Sequence, residues 1–534
     1  MRQLTLLTPL AVFLFVPAPA PGQEHNRFAD VVILQEAVHQ SIERAESSIA
    51  CILVSRSDKY RAYEGVGPRA PGQLGRFDLS HVRLSREDPE FEALARLNLS
   101  DPDIVPESYG SGVVIDDKEG LVLTLAHVVR NATKIYVRLP PSPPLPRNGG
   151  REEADPTSRS ASRGSWADIH AFDPRSDLAV LRLIDRVPNL QALKLGDGSK
   201  LRKGDFVLSL SNPFAAGFHD GSPSASWGIV SNLRRRATGA LSDVPSVDRN
   251  AKLPLYCFNT LIQTDTRMNL GCSGGALLNL QGELVGLTSS LAGIAGGETP
   301  GGFAVPLDEG MRRILDVLRR GEEVEYGFLG VYLKRPEQIP QGSVQVSSLI
   351  PGGPAARAGI RGALFHGGFP SREDGDFILS VNGTPIHSND DLFLAVGMNL
   401  AGSTVRVEVS ERPDGPRRLC SVTLAKFPSL DPVIASKRPP ARGGLRVDWT
   451  SVILPRNRPR LGIPEGVLVR EVLPDSPADK AHLQPDMIIT SVNRKKVTNP
   501  AEFYREMEKA NGPIELTIGT LDQNGEDRVT INVK

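Results

Sequence analysis

Short apolar runs bounded by turn residues recur in the first half of the chain and predict β-hairpins. Gly112–Ile115 and Leu121–Leu125 flank the polar turn Asp-Asp-Lys-Glu-Gly, and Leu178–Leu183 follows a turn at residues 173–176. A further pair of apolar strands flanks a Gln-Gly turn at residues 281–282. This alternation of short apolar runs with turns predicts a mainly β structure.

Longer periodic and irregular segments surround these hairpins. The pattern predicts a helix over about residues 29–46 and a strand at Ile49–Val54. Residues 140–165 are rich in Pro, Ser, Gly and charge, which predicts a long surface loop. Residues 56–107 are mixed in composition and include one short predicted helix at 88–97. We therefore expect the first helix and strand to pack on the hairpins, with two irregular insertions between them.

The second half of the chain contains an internal repeat. Ile350–Ile360 (IPGGPAARAGI) and Leu473–Leu483 (LPDSPADKAHL) share Pro and Ala at matching positions, and Val381-Asn382 matches Val492-Asn493. The first copy carries an insertion at 362–373. Each copy predicts a strand, a short helix, a strand, an Asn turn, a second helix and a closing strand. The repeat thus indicates two small α+β units.

Candidate chemistry is concentrated in the segment LGCSGGALLNLQGELVG at residues 270–286. It places Ser273 in a Gly-x-Ser-Gly-Gly frame. A nucleophilic serine needs backbone that turns tightly and directs free N–H groups at a developing oxyanion, and glycines permit such a turn. The alternative is an ordinary glycine-rich hairpin, because the chain contains 51 glycines.

Two residues upstream are candidate partners for this serine. His127 follows the strand Leu121–Leu125, and an imidazole suits general-base catalysis because its pKa lies near working pH. Asp177 stands between a turn and an apolar run, where its carboxylate could accept the second imidazole N–H. Asp173 competes for this role, but its position inside the turn predicts a solvated side chain. The alternatives are a structural histidine and a turn-capping aspartate.

The order His127, Asp177, Ser273 in these contexts resembles a chymotrypsin-fold protease, and more narrowly the HtrA (Deg) family of trypsin-like serine proteases. The resemblance is carried by GSGVVID at 110–116, TLAHVV at 124–129, DPRSDLAVLRL at 173–183, LGDGSKLRKGDFVLSLSNPF at 195–214, GIVS at 228–231, IQTD at 262–265, GCSGGALLNLQGELVGL at 271–287 and GGFAVP at 301–306. It implies a chymotrypsin-like double β-barrel.

The same resemblance implies roles for individual residues. His127 would be the general base, Asp177 its orienting carboxylate and Ser273 the nucleophile. The backbone N–H groups of Gly271 and Ser273 would form the oxyanion hole. The strand Gly302–Pro306 would be the edge that pairs with bound substrate. The implied substrate-binding residues are Arg267, Leu270, Gly302, Phe303 and Ala304.

Some residues near the serine depart from the usual family pattern. Arg267 stands where a pocket for basic residues would need an acidic side chain, which favours cleavage after small or medium apolar residues. Leu270, Cys272 and Ala276 also differ from the residues usual at their positions. These departures suggest two alternatives, an oxyanion loop that is already formed and one that needs an activating contact.

The two repeated units resemble PDZ domains of the circularly arranged bacterial type. Their peptide-carboxylate loops would lie at 326–331 and 443–447. In such loops, backbone N–H groups bind a C-terminal carboxylate while the peptide adds a strand to the domain edge. The loop residues are Phe328, Leu329 and Gly330 in the first unit, and Gly444, Leu445 and Arg446 in the second. Ligand capture is favoured for the first unit over the second, and a structural unit without ligand is the alternative.

Composition and the N-terminus limit the remaining possibilities. The chain has 62 Lys or Arg and 62 Asp or Glu, so no net charge favours nucleic acid or an anionic membrane. Four Cys predict no disulfide framework, and no residue spacing predicts a metal site or a cofactor. The apolar stretch Leu4–Val16 followed by Ala18-Pro19-Ala20 resembles an export signal that is too short to span a bilayer. We expect an exported protein, periplasmic or secreted, with no stable membrane span after signal cleavage, and an uncleaved anchor is the alternative.

Together the patterns predict an organisation and a function. The predicted segments are a signal peptide at 1–22, a helix, strand and regulatory-type insertion at 23–109, a protease core at 110–320, PDZ domains at 321–427 and 442–534, and a linker at 428–441. The resemblance implies an ATP-independent serine endopeptidase in protein quality control that acts on unfolded or damaged polypeptides. C-terminal peptides would bind the PDZ domains, and the assembly would be a trimer-based homo-oligomer. The alternative is a PDZ-based peptide-binding chaperone or scaffold whose protease module is weakly active or silent.

Overall fold

The fold is taken from a computed structural model that describes residues 27–62, 70–77, 94–104, 106–141, 163–236, 254–258, 260–290, 302–366, 369–372, 375–429, 432–456, 462–510, 512–519 and 526–533. The predicted signal peptide and most of the segments predicted as a loop at 140–165 and a helix at 88–97 lie outside these residues. Within the described ranges, no helix is long and apolar enough to cross a membrane.

Six short strands that follow helix α1 (Arg27–Glu46) close into a first β-barrel. The strands are β1 (Ile49–Ser55), β2 (Ser108–Asp116), β3 (Leu121–Leu125), β4 (Lys134–Leu139), β5 (Arg163–Asp173) and β6 (Leu178–Leu183). Their order is β5-β4-β1-β2-β3-β6, and β6 pairs with β5 to close the barrel. A single helical turn, α2 (Ala126–Val129), follows β3 directly. The predicted hairpin of β2 and β3 is confirmed, whereas β5 begins at Arg163, inside the segment predicted as loop.

Strand β1 shows why the apolar runs of this barrel are unbroken. All of its residues are buried. Ile52 and Val54 belong to the main core, whereas Cys51 and Leu53 belong to a second apolar cluster with Tyr60. Because successive side chains of a strand point to opposite faces, a strand covered on both faces requires apolar residues at every position.

A second barrel follows the first and is also closed. Its strands are β7 (Phe206–Ser211), β8 (Ser224–Arg235), β9 (Leu261–Thr264), β10 (Ala276–Leu278), β11 (Leu284–Ser289) and β12 (Gly302–Pro306). Their order is β10-β11-β12-β9-β8-β7, and β7 pairs with β10. The predicted chymotrypsin-like double β-barrel is therefore confirmed.

Helix α3 (Glu309–Arg319) leads from the second barrel back to the first. Asp308 caps the helix, because its carboxylate accepts the N–H of Met311 at 2.8 Å. Buried residues spaced three and four apart form one apolar face, which packs against β5 and β6. These residues are Met311, Ile314, Leu315 and Leu318. The helix thereby ties the two barrels into one apolar core.

Two small α+β units follow, and each has its own apolar core. The first C-terminal unit (residues 326–427) contains β13 (Gly327–Phe328), β14 (Val331–Leu333), β15 (Val346–Leu349), α4 (Pro354–Arg357), β16 (Leu364–His366), β17 (Phe369–Arg372), β18 (Phe377–Val381), β19 (Thr384–Pro385), α5 (Asn389–Gly397), β20 (Thr404–Ser410), β21 (Arg417–Thr423) and β22 (Ala425–Lys426). The insertion predicted at 362–373 contains the hairpin of β16 and β17.

The second C-terminal unit (residues 443–533) repeats this pattern, and a further strand, β23 (Ile434–Ala435), precedes it. The unit contains β24 (Leu445–Trp449), β25 (Val467–Val472), α6 (Pro477–Lys480), β26 (Ile488–Val492), β27 (Lys495–Lys496), α7 (Pro500–Lys509), β28 (Gly512–Gly519) and β29 (Glu526–Val533). Asn382 and Asn493 occupy matching turns with positive φ angles of 51° and 47°. Short 3-10 helices elsewhere are Asp58–Ala62, Gly198–Lys200, Pro213–Ala215, Leu255–Cys257, Pro336–Gln338 and Thr450–Arg456.

The segment between the two units is attached to the first barrel. Strand β23 pairs with β5, with Ile434 opposite Phe172 and Ala435 opposite Ala171. The next residue, Ser436, donates its backbone N–H to the carbonyl of His170 at 3.0 Å. The Pro and Lys/Arg content of residues 428–441 favours a linker. However, the open edge of β5 provides backbone N–H and C=O groups that need hydrogen-bond partners. Part of the predicted linker is therefore a strand.

Candidate active site

His127 and Asp177 come together because β3 and β6 are neighbours, with Leu125 opposite Leu178. The Nδ1 atom of His127 lies 2.7 Å from Oδ2 of Asp177. The other carboxylate oxygen accepts the backbone N–H of His127 at 2.9 Å. Since the carboxylate accepts, Nδ1 carries the hydrogen and Nε2 is left as the proton acceptor. Nε2 is buried and has no hydrogen-bond partner among the described residues.

The surroundings of His127 favour its protonated form. Burial is the largest influence and lowers the pKa of the imidazole, but the charge and hydrogen bond of Asp177 outweigh it. The pKa of His127 is consequently raised above its ordinary value. A ring in this environment can take a proton from a neighbour and hold it.

The turn before β6 gives Asp177 an unusual backbone. Its φ angle is +58°, which is uncommon for a residue other than glycine, and the conformation costs about 1–3 kcal/mol. The carbonyl of Asp177 accepts the N–H of Ala126 at 2.7 Å, so the backbone also ties this turn to α2. The prediction of a solvated Asp173 is wrong. Asp173 is only 2% exposed and accepts hydrogen bonds from Ser176 and Tyr326.

The loop that carries Ser273 has its backbone carbonyls bound elsewhere. Ser111 of the first barrel donates its hydroxyl to the Gly271 carbonyl at 2.7 Å and its N–H to the Ser273 carbonyl at 2.9 Å. The Leu270 carbonyl accepts the N–H of Phe214 at 2.6 Å, and the Cys272 carbonyl accepts the Thr288 hydroxyl at 2.5 Å. All four carbonyls therefore have hydrogen-bond donors within the chain.

Two glycines of this loop are required by its geometry. Gly271 has a φ angle of +94°, and a Cβ atom there would lie 2.4 Å from the Asn212 carbonyl oxygen. Gly274 has a φ angle of +87°, and a Cβ atom there would lie 2.2 Å from the Ser111 carbonyl oxygen. Any side chain at either position would meet both backbone strain and a clash.

The N–H groups of the loop are used unevenly. Those of Cys272, Gly274 and Gly275 all donate to backbone carbonyls. In contrast, the N–H groups of Gly271 and Ser273 have no hydrogen-bond partner in the described part of the chain. Two unused donors on alternate residues beside a serine can bind an anionic oxygen.

The Ser273 hydroxyl contacts another serine. Its Oγ lies 2.8 Å from Oγ of Ser290 and accepts the Ser290 backbone N–H at 3.1 Å. No hydrogen bond therefore joins Nε2 of His127 to Oγ of Ser273 in the described structure.

Residues 110–287 match the model of the trypsin-like peptidase domain. The chain is 31% identical over 416 residues to the probable periplasmic serine endoprotease DegP-like of Pseudomonas fluorescens, covering 76% of this chain and 74% of the relative. It is 30% identical over 438 residues to the periplasmic pH-dependent serine endoprotease DegQ of Escherichia coli, covering 80% and 82% of the two chains. The chain belongs to the HtrA (Deg) family. The family identified from the sequence is confirmed, and the protein is a serine protease. The solved HtrA-type protease AlgW with tripeptide matches 76% of this chain and 98% of its own, with 22% identity and a TM-score of 0.44.

The predicted substrate-pairing edge of this HtrA-family chain is wrong at β12. Phe303 pairs with Ser289 of β11 on one side and with Gln263 of β9 on the other. Ala304 is likewise paired on both sides, with Thr288 and Ile262. A strand inside a closed barrel has no free edge, so these residues cannot add a substrate strand.

The other predicted substrate-binding residues lie on one rim of the second barrel. Arg267 is exposed and donates its backbone N–H to the Ser226 hydroxyl at 3.0 Å. Leu270 is 53% exposed, at the start of the loop that carries Ser273. Gly302 is covered by Met268, whose sulfur would lie 2.2 Å from a Cβ atom at Gly302. A side chain at Gly302 would therefore have to displace Met268.

The predicted peptide loop of the first C-terminal unit has unused donors. The carbonyls of Leu329 and Gly330 accept the N–H groups of Ala355 and Ile350 at 2.9 and 3.0 Å. Within the described ranges, the N–H groups of Leu329 and Gly330 have no hydrogen-bond partner. Phe328 precedes them in β13. The loop is thus chemically able to bind an anionic group.

In the corresponding loop of the second C-terminal unit, the N–H groups of Gly443 and Gly444 likewise have no hydrogen-bond partner within the described ranges, but the residues that follow are bound within the chain. Leu445 and Arg442 exchange two backbone hydrogen bonds of 3.0 Å. The N–H of Val447 donates to the Tyr504 hydroxyl at 3.2 Å, so a side chain of α7 occupies this donor of β24. Arg446 donates to the Pro439 carbonyl and to Glu471. Gly444 has a φ angle of +89° and lies against Ser476.

The residues that support the loop of Ser273 were not predicted from the sequence. Ser111 binds two carbonyls of the loop, Thr288 a third and Phe214 a fourth. Ser290, which contacts the Ser273 hydroxyl, was also missed. The one usable signal was the position of Ser111 between glycines 110 and 112.

Proposed function

We propose that this protein is an exported, ATP-independent serine endopeptidase that cleaves unfolded or damaged polypeptides. His127 is its general base, Asp177 orients the imidazole and Ser273 is the nucleophile. The backbone N–H groups of Gly271 and Ser273 form the oxyanion hole. The observation that carries this proposal is the 2.7 Å contact between Nδ1 of His127 and Asp177, which leaves Nε2 as the proton acceptor.

The proposed reaction uses groups whose positions favour it. Ser273 Oγ turns from Ser290 towards Nε2 of His127, transfers its proton there and attacks the scissile carbonyl carbon. The carbonyl oxygen becomes an oxyanion that accepts the two unused N–H groups. His127 then gives its proton to the leaving amine. A water molecule attacks the resulting ester, and the enzyme regains its free serine.

The location is supported by the relatives, and the assembly is carried over from the resemblance to the family. Both relatives named above are called periplasmic, and the N-terminal residues resemble an export signal. We therefore place the protein in the periplasm and expect a trimer-based homo-oligomer.

The two C-terminal units are proposed as PDZ domains with different roles. The first captures peptide C-termini, supported by the unused N–H groups of Leu329 and Gly330. The second binds them weakly, since the Tyr504 hydroxyl occupies the N–H of Val447 on β24, the strand that a bound peptide would extend. Carboxylate capture can be measured in the full-length Ser273→Ala protein with a peptide that has a free carboxylate. Its amidated form is the control, and equal binding of both forms would contradict carboxylate capture.

Labelling with a fluorophosphonate probe tests the catalytic assignment. Wild-type protein is expected to label and to cleave casein, and Ser273→Ala is expected to do neither. Ser209→Ala is the matched control, because Ser209 is buried in the same barrel and its hydroxyl has no partner within the described ranges. If wild-type protein neither labels nor cleaves, the binding-protein alternative is favoured.

A further inference from the structure

The turn before β6 contains a buried carboxyl group that the catalytic assignment does not use. Burial raises the pKa of Asp173, and its hydrogen bonds and the charge of Arg175 act in the opposite direction. Asp173 is 2% exposed, and its Oδ2 atom accepts the N–H of Ser176 at 3.0 Å as well as the Ser176 hydroxyl. A third donor, the hydroxyl of Tyr326, reaches the same oxygen. A buried carboxylate needs such donors, because its desolvation is costly.

The third donor comes from outside the protease barrels. Tyr326 begins the first C-terminal unit and is 4% exposed. Burial is the largest cause that raises the pKa of Tyr326, and the Asp173 charge adds to it, so the hydroxyl keeps its proton and donates. Phe427, at the other end of the same unit, donates its N–H to the Tyr326 carbonyl at 2.7 Å.

An arginine of the turn strengthens this contact. The guanidinium of Arg175 lies 5.2 Å from the ring centre of Tyr326 and 4.0 Å from that of Phe427. Both separations are within cation–π range. The Arg175 carbonyl also accepts the N–H of Leu255 at 2.7 Å. The turn is therefore held from the C-terminal unit and from the 254–258 segment.

The turn has little freedom between Asp173 and Asp177. Ser176 is bound to Asp173 through both its N–H and its hydroxyl, and it directly precedes Asp177. Asp177 itself has a left-handed backbone, which surrounding contacts must maintain. Both carboxylate oxygens of Asp177 then orient His127.

We propose that Tyr326 is a positioning residue for Asp177, acting through Asp173 and Ser176. This inference rests on the proposed role of the His127–Asp177 pair. The protease module thus receives part of its catalytic geometry from the first C-terminal unit. Tyr326, the first residue of the predicted peptide loop, faces the barrel and serves the reaction instead of the peptide.

The pH dependence of activity reports on this role. Asp177 raises the pKa of His127, and the charge of Arg130 acts in the opposite direction. Tyr256 and Cys257 lie near Asp177, and burial, with a smaller contribution from Asp177, raises the pKa of each, so both stay neutral. Arg175 and Tyr326 are the groups that face Asp173. Displacement of Asp177 would therefore lower the pKa of His127 and move the acid limb of kcat/KM to lower pH.

The test compares Tyr326→Phe with Tyr60→Phe in the full-length protein. Each change removes one buried tyrosine hydroxyl that donates a hydrogen bond. The Tyr60 hydroxyl donates to the Leu97 carbonyl, which is far from Asp177 in sequence and shares no contact with it in the described part of the chain. For Tyr326→Phe we expect kcat to fall about tenfold, because the lost bond is to a charged group, with KM unchanged and the acid limb at lower pH. Ser176→Ala should shift kcat and the acid limb in the same directions.

Three results would overturn the inference. Tyr326→Phe and Ser176→Ala could both keep the wild-type kcat and acid limb, or Tyr60→Phe could lower kcat equally and move the limb as well. The third result is a rise in the KM of Tyr326→Phe with kcat and the acid limb unchanged. Failure of the catalytic assignment is separate, because it would appear as labelling of Ser273→Ala or as full activity of Asp177→Asn.

Discussion

On the first barrel, His127 and Asp177 are already joined by two hydrogen bonds, whereas on the second barrel the Ser273 hydroxyl is bound to Ser290. The backbone around Ser273 nevertheless has free N–H groups at positions 271 and 273, among the described residues. The histidine and aspartate of the first barrel are therefore joined, whereas the serine of the second barrel contacts another hydroxyl. Since rotation about one side-chain bond is fast and inexpensive, the resting and attacking arrangements should exchange readily.

The largest expected effect on kcat comes from breaking the contact between His127 and Asp177. Asp177→Asn should lower kcat by about 10⁴-fold, because the amide cannot hold the imidazole in the required tautomer. In the wild type, activity should rise as His127 loses its proton, with the acid limb above the ordinary histidine pKa. In the variant, the charge of Asp177 is absent, so burial and the charge of Arg130 lower the pKa of His127. The acid limb should therefore move to lower pH.

The kcat/KM profile of both proteins checks this expectation. Asp168→Asn is the matched control, since Asp168 accepts backbone N–H groups in the same barrel without touching His127. A variant profile with an acid limb at or above that of the wild type would contradict the assigned role of Asp177.

An intermediate effect is expected where the first barrel supports the second. Ser111→Ala removes the hydroxyl that binds the Gly271 carbonyl and accepts the Asn212 N–H. Two buried groups lose a partner, so the loop should shift and kcat should fall by up to about 10²-fold, with little change in KM. Ser165→Ala, which removes another buried hydroxyl of the first barrel, is the control. Unchanged kcat would show that the loop keeps its shape without Ser111.

The smallest expected effect comes from releasing the serine. Ser290→Ala removes one neutral hydrogen bond from the Ser273 hydroxyl and leaves the Ser290 N–H in place. Such a bond is worth about 0.5–1.5 kcal/mol, so fluorophosphonate labelling should become about 2- to 10-fold faster. Ser289→Ala changes a buried neighbour whose hydroxyl has no partner in the described part of the chain. Slower labelling of Ser290→Ala would mean that Ser290 helps the reaction instead of holding the nucleophile.

Local patterns predicted the strands and the position of the candidate residues well. The hairpin of β2 and β3, the strand after Asp177 and the repeated helices α5 and α7 all depend on neighbours in sequence, and all are present. The burial of Asp173 was not predictable in this way, because its covering group, Tyr326, comes from 153 residues further along the chain. The occupied edges of β12 likewise result from closure of the barrel, which is a long-range property.

Side-chain orientation was the other limit. The Gly-x-Ser-Gly-Gly frame indicates a tight loop, but it contains no information on whether the serine turns to a histidine or to another hydroxyl. Ser111 and Ser290 each contact the loop through a hydroxyl and a backbone N–H, and serine is too common in this chain to mark such contacts.

Strand β23 has a consequence for how this protein can be divided. Residues 434–436 cover the edge of β5 at His170 to Phe172. A shortened protein that ends at the first C-terminal unit would leave those backbone groups open, and an open strand edge invites pairing with other copies. A soluble fragment without the second unit should therefore extend to Lys437, whose N–H reaches the Gly321 carbonyl at 2.8 Å.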